Sequence, residues 1–135
     1  MKYMLDTNIL IYLLKNKPPS VVKRVNSLEE DAQLTMSFFT YAELLKGAER
    51  STRKDKVLID LKNLTRQIPV LYYINHVLCE YYAIHFTYLK KAGTPIGAND
   101  LWIACHALAE NAVLVTHNTS EFSRLQGLQI DDWVD

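Results

Sequence analysis

Cysteine, glycine and proline are all scarce in this chain, and each scarcity excludes something. Two cysteines among 135 residues, Cys79 and Cys105, are too few for a disulfide framework or a zinc ribbon, and their apolar surroundings point to reduced thiols in a cytoplasmic protein. Four glycines and four prolines leave no linker, low-complexity tract or internal repeat. The apolar stretch from Met4 to Leu14 contains Asp6 and Asn8, which makes it too short and too polar to cross a bilayer, and there is no signal-peptide pattern. No G-x-S-x-G elbow presents a nucleophilic serine, and no glycine-rich loop can cradle phosphates. His76, His85, His106 and His117 lack zinc-ligand spacing with the cysteines and read as core-edge or surface residues.

Net charge is absent too. Fifteen Lys and Arg balance fifteen Asp and Glu, which ordinarily counts against nucleic-acid binding. That inference depends on where the acids sit, because four acids gathered around metal ions would leave the remaining surface at +4. Pairs such as Lys15 with Lys17, Arg53 with Lys54, and Lys90 with Lys91 could then meet phosphates, or could simply be solvated helix ends.

What the chain does have is 49% hydrophobic residues, enough for one domain over residues 1–135 that buries roughly 65–70% of its unfolded surface. Short apolar runs "KYML", "QLTMS", "IPVLY" (68–72), "VLVTH" and "LQIDDW" read as strands. The segments between them have helical periodicity, with Ser20 a cap for the second helix and Val77, Leu78, Tyr81, Ile84 and Tyr88 the apolar positions of the long helix after residue 74. Strands alternating with helices imply parallel pairing through crossovers, hence a three-layer α/β/α domain with a central, mainly parallel sheet of four to five strands. Ligands of such folds bind at the carboxyl ends of the strands.

Four acids fall at that end. Asp6 follows the first strand, Glu43 lies in the helix after the second, Asp100 opens the helix in "GANDLWIACHAL", and Glu121, with Asn118, follows the fourth strand. Each has a plainer reading. Asp6 can cap a helix, "TYAE" fits a capping box built on Thr40 and Glu43, Asp100 or Asn99 can cap the next helix, and Glu121 can sit in a solvated loop. Against these, Asp100 shares a helical face with Ile103, Ala104 and Ala107, and an inward carboxylate among small apolar residues wants a cation. Gathered carboxylates repel unless a cation compensates, and an all-oxygen ligand set favours Mg²⁺ or Mn²⁺.

In order and spacing, "YMLDTNI", "FTYAELLKGAE", "PIGANDLWIACHAL" and "LVTHNTSEF" followed by "RLQGLQIDDW" resemble the motifs of PIN-domain ribonucleases of the VapC toxin family, over nearly the whole chain. The resemblance implies a Mg²⁺- or Mn²⁺-dependent endoribonuclease that inhibits translation, with tRNA the expected substrate, leaving 5′-phosphate and 3′-hydroxyl ends. Asp6, Glu43 and Asp100 match the family acids, Asp6 and Asp100 being the expected metal ligands. Thr7 and Asn8 match the polar pair that orients the first Asp. After Thr116 and His117 this chain has Asn118 where the broader pattern has Asp, and Glu121 could supply the missing charge.

The resemblance also implies a VapB antitoxin lying over the early helices, near Tyr12, Leu13, Leu14, Leu44 and Leu45, with a basic side chain among the acids. A homodimer, a toxin–antitoxin hetero-oligomer, and operator DNA bound only through the antitoxin complete that expectation, with no membrane involved. Among other classes, a receiver-like phosphoacceptor needs an acidic pair at the first strand and a late Lys, which "MLDTN" and "LVTHN" do not offer. A flap-type DNA nuclease needs more chain. A catalytically inactive PIN-fold interaction module remains as the alternative.

Overall fold

Tyr3, Met4 and Leu5 are consecutive and all buried, which a strand manages only when both of its faces are covered. The computed structural model describes residues 1–135 and shows how the covering is done. Strand β1 (Lys2–Leu5) leads through helices α1 (Thr7–Lys15) and α2 (Pro19–Asn26) to β2 (Gln33–Ser37). Helices α3 (Phe38–Glu49) and α4 (Lys54–Gln67) then lead to β3 (Val70–Leu71). After β3 come α5 (His76–Lys91), α6 (Ala98–Ala109), β4 (Val113–Val115), a short α7 (Thr119–Phe122) and β5 (Ile130–Asp131).

The five strands lie in the order β3-β2-β1-β4-β5, and every pairing is parallel. Alternation along β1 splits the core in two. Tyr3 and Leu5 face α1 to α4 through Ile9, Leu10, Val21, Leu44 and Leu61, while Met4 faces α5 to α7 through Leu78, Leu89, Ile103 and Phe122. Strand β4 repeats the pattern, with Val113 and Val115 on the first side and Leu114 on the second. The result is the expected α/β/α sandwich, with five strands. No helix is long and apolar enough to cross a membrane.

Some local expectations fail for identifiable reasons. Helix α2 starts at Pro19, not after Ser20, because proline suits the first helical position, where no N–H is needed; the Ser20 hydroxyl accepts from the Asp135 amide at 3.3 Å instead. Strand β3 is two residues rather than five: Ile68 still closes α4 through its N–H to the Leu64 carbonyl, and only the Pro69 carbonyl reaches the neighbouring strand. The expected "VLVTH" strand shrinks to its first three residues, Val113–Val115, and "LQIDDW" to its middle pair, Ile130–Asp131. In α5 the inward stripe is Leu78, Tyr82, His85 and Leu89, so Ile84 and Tyr88, expected on the apolar face, are exposed. His85 and His106 are buried, whereas His76 and His117 are exposed.

This packing predicts that Leu114→Ala lowers unfolding free energy by about 2–5 kcal/mol, because Leu114 is wholly buried between sheet and helices. Ile84→Ala should change it by no more than about 0.5 kcal/mol. Urea unfolding of the two variants checks both halves, and equal losses would show that α5 packs on a different face.

Candidate active site

In this strand order, β1 connects outward to β2 on one side while β4 connects to β5 on the other. The crevice between the carboxyl ends of β1 and β4 is therefore the switch point where such sheets bind ligands. Asp6 follows β1 there, and Thr116 follows β4.

Asp6 turns out to be both helix cap and buried acid. Its Oδ1 accepts from the Ile9 N–H at 3.1 Å, and only 7% of the residue is exposed. Burial pushes its carboxyl above the ordinary range, and the Glu43 charge adds to that push. The Thr116 hydroxyl and the amides of Ile9 and Asn8 work in the other direction by favouring the ionised form. Extended backbone at Asp6 and the Asp6 carbonyl, which accepts from Leu10, start α1 at this point.

Glu43 does not complete a capping box with Thr40. Ser37 caps α3, its Oγ accepting from the Phe39 N–H at 3.2 Å, and Thr40 is buried one turn in. Glu43 instead receives the Thr7 hydroxyl on Oε1 at 3.0 Å, a bond that ties α3 to the first residue of α1. Thr7 thus holds Glu43 rather than Asp6. Asn8 is exposed and acts on Asp6 only through its amide.

Asp100 caps nothing. The cap of α6 is Gly97, no side chain satisfies that helix end, and the Asp100 carboxyl turns toward the other acids. Its pKa is pushed up to about 6, first by burial and then by the charges of Glu121, Glu43 and Asp6 in that order. One half-buried carboxyl therefore feels all three other acids, which brings together the four that the sequence singled out. Glu121 reaches the group from α7, where Asn118 is the cap residue and donates its backbone N–H to the Thr116 Oγ at 3.0 Å. The Asn118 side chain makes no cap bond.

The donor set is all carboxylate oxygen, which suits a hard divalent cation. No three acidic, histidine or cysteine side chains close into a metal cage. Mg²⁺ fits even so, since it is typically held by one or two carboxylates and keeps several waters.

Sequence reasoning missed the pair that joins the two acid-bearing helices beneath the site. The Ser37 Oγ and the His106 Nδ1 are 2.7 Å apart and buried, with the imidazole edge-on to Phe38 and Phe39. The Ser37 hydroxyl has a second lone pair beside the one that takes the Phe39 N–H, so the pair forms with either imidazole tautomer. Burial lowers the His106 pKa and favours the neutral ring. A strand-final Ser before a helix was the available signal for half of this pair.

Two outcomes follow. A carboxyl whose pKa rises from 3.8 to about 6 on folding binds protons more tightly in the folded state, so its contribution falls as pH climbs through that window and is missing at neutral pH. In EDTA at pH 8, Asp100→Asn should therefore stabilise the protein by about 1 kcal/mol, a figure discounted for the half-exposed position, with the gain shrinking toward pH 4. Loss of stability at pH 8 would contradict the repulsion. Ser37→Ala removes a cap and strands a buried imidazole, and should cost about 1–3 kcal/mol in the same denaturation experiment.

The PIN domain family model matches residues 3–128. Ribonuclease VapC1 of Haemophilus influenzae is 52% identical over 133 residues, covering 98% of both chains. The tRNA(fMet)-specific endonuclease VapC of Shigella flexneri is 38% identical with the same coverage. The crystal structure of VapBC2 from Rickettsia felis bound to a DNA fragment from their promoter superposes with a TM-score of 0.92 at 34% identity, over 99% of this chain and 100% of that one. With the fold, the acids and these relatives in agreement, the chain belongs to the PIN-domain family of VapC ribonucleases.

Proposed function

We infer that this chain is the toxin of a VapBC-type toxin–antitoxin pair, an endoribonuclease that cuts RNA, tRNA first among its substrates, and is neutralised by a VapB antitoxin. The observation that carries the reading is the convergence of Asp6, Glu43 and Glu121 on Asp100 at the sheet's switch point. The Shigella flexneri relative's name supports tRNA, and the Rickettsia felis VapBC2 structure, bound to a DNA fragment from their promoter, supports an antitoxin partner and DNA binding by the pair.

Asp6 and Asp100 are the residues that would hold Mg²⁺ or Mn²⁺, which when bound polarises a phosphoryl oxygen and lowers the pKa of water. Asp6 is oriented for this by the Ile9 amide and the Thr116 hydroxyl. Glu43, held by Thr7, would accept a proton from the attacking water, and Glu121 adds negative charge beside Asp100. In-line attack at phosphorus then leaves 5′-phosphate and 3′-hydroxyl ends. Four carboxylates without a cation would repel an RNA phosphate, so the reading requires metal dependence.

For the antitoxin, Leu13 and Leu14 of α1 line a cleft of about 320 Å³ with Lys56, Asp60, Asn63, Leu64 and Gln67 of α4. An amphipathic peptide fits that mixed lining. Leu44, expected at this surface, is buried in the core and unavailable. A homodimer of the toxin, assembled with its antitoxin in the cytoplasm, belongs to the same proposal.

The test is cleavage of a total tRNA pool by antitoxin-free protein with Mg²⁺ or Mn²⁺, with the ends mapped. Discrete cuts, abolished by EDTA and reduced more than about 100-fold by Asp6→Asn, are expected. If a folded protein that binds Mn²⁺ leaves every RNA intact, the inactive interaction module takes over as the better reading.

A further inference from the structure

Beside the acids lies a cleft of about 200 Å³ that none of the preceding chemistry uses. It is lined by Phe38, Phe39, Ala42, Glu43 and Lys46 of α3, and by Asn99 at the start of α6. Its walls are thus the two helices that carry Glu43 and Asp100, and Glu43 belongs to both sites. Three features of the lining point to one kind of occupant.

The first is a row of aromatic rings leading to the cleft. Phe39 stacks on Trp102 at 5.5 Å, Trp102 on Tyr82 at 3.8 Å and Tyr82 on Phe86 at 5.8 Å, while Phe38 packs against Phe39 at a tilt of 33° with centroids 4.1 Å apart. Phe38 is the half-buried end of that row at the cleft. A ring held this way loses little freedom when another flat ring is laid on it. The second feature is Lys46, the one cation lining the cleft, whose ammonium takes part in none of the chain's six ion pairs. Where four acids crowd the adjoining site, an unpaired cation is what makes phosphate approach favourable. The third is Asn99, whose side-chain amide can both donate to and accept from a base edge.

We propose that this cleft holds one unstacked nucleotide of the RNA strand adjoining the scissile phosphate, its base on the Phe38 ring and its phosphate on Lys46. The proposal rests on the ribonuclease reading and adds to it a site that selects single-stranded over paired RNA, because a base in a duplex has no free face to offer. A strand so placed enters between Glu43 and Asp100.

Binding can be read ahead of cleavage, with Ca²⁺ in place of Mg²⁺ to neutralise the acids, using a single-stranded RNA pentanucleotide carrying 2-aminopurine at its centre. Wild-type protein should quench the probe. Phe38→Leu, which keeps apolar volume but removes the ring, should abolish quenching and weaken binding about five- to tenfold, while Phe38→Trp restores both. Lys46→Gln should reduce the slope of log affinity against log salt by about 0.7. In tRNA cleavage both Phe38→Leu and Lys46→Gln should raise KM more than they lower kcat. Matching urea midpoints exclude misfolding as the cause.

A wild-type enzyme that cuts tRNA while Phe38→Leu and Lys46→Gln bind the pentanucleotide as well as wild type does would overturn the site and leave the ribonuclease standing. Quenching that disappears as the protein dimerises, followed by light scattering, would overturn it as well and give the cleft to a second copy. Quenching with the expected variant effects but no RNA cleavage would support the site while sinking the ribonuclease.

Discussion

A carboxylate buried at the end of the central strand is the constraint around which this molecule is arranged. Asp6 has no ion-pair partner, and an isolated charge is costly to take out of water. The chain meets that cost locally, by starting α1 so that the Ile9 amide and the positive end of the helix face Asp6. It meets the rest through topology. With β1 the central strand, flanked by β2 and β4, its end lies inside the sheet, and the Thr116 hydroxyl comes to the same point because β4 runs parallel in register, Leu5 opposite Val115.

The other acids are then placed by links between helices. Thr7, the residue after Asp6, reaches Glu43, so the first turn of α1 sets the position of α3. Ser37 and His106 join α3 to α6 at their crossing, and α6 carries Asp100. Each link is a single hydrogen bond worth about 1 kcal/mol in stability, yet its geometric effect is larger because it acts on rigid helices. The spacing of Asp6, Glu43 and Asp100 is set by two side-chain bonds between residues far apart in the chain.

The sheet was legible because parallel strands buried on both faces read as continuous apolar runs, and "YML" and "VLV" are such runs. The acids were legible because their positions at strand ends and helix starts are local facts. What could not be read was which partner each polar group chooses. Glu43 has a plausible capping partner three residues away in Thr40 and a real one in Thr7, thirty-six residues away, and only tertiary structure decides between them. His106 gave no spacing signal, since its partner Ser37 is sixty-nine residues distant. The α5 stripe was misjudged by rotation: Ile84 and Tyr88 are as apolar as the residues that face inward, and periodicity alone does not choose between two apolar stripes on one helix.

Zero net charge, which at first weighs against a nucleic-acid partner, takes on a different meaning once the charges have positions. Four of the fifteen acids converge on one crevice, so the rest of the surface carries an excess of Lys and Arg. The same convergence keeps the site unsettled on its own: burial and the three neighbouring charges push the Asp100 carboxyl up to about 6. A positive group of any origin, whether a divalent ion or a basic side chain of a partner, relieves the same repulsion at the same place. On the proposed reading this is why one set of acids can serve both catalysis and inhibition. The ion that completes the enzyme and the cation that silences it are then competitors for a single electrostatic deficit, and what distinguishes them is only whether room is left for phosphate and water.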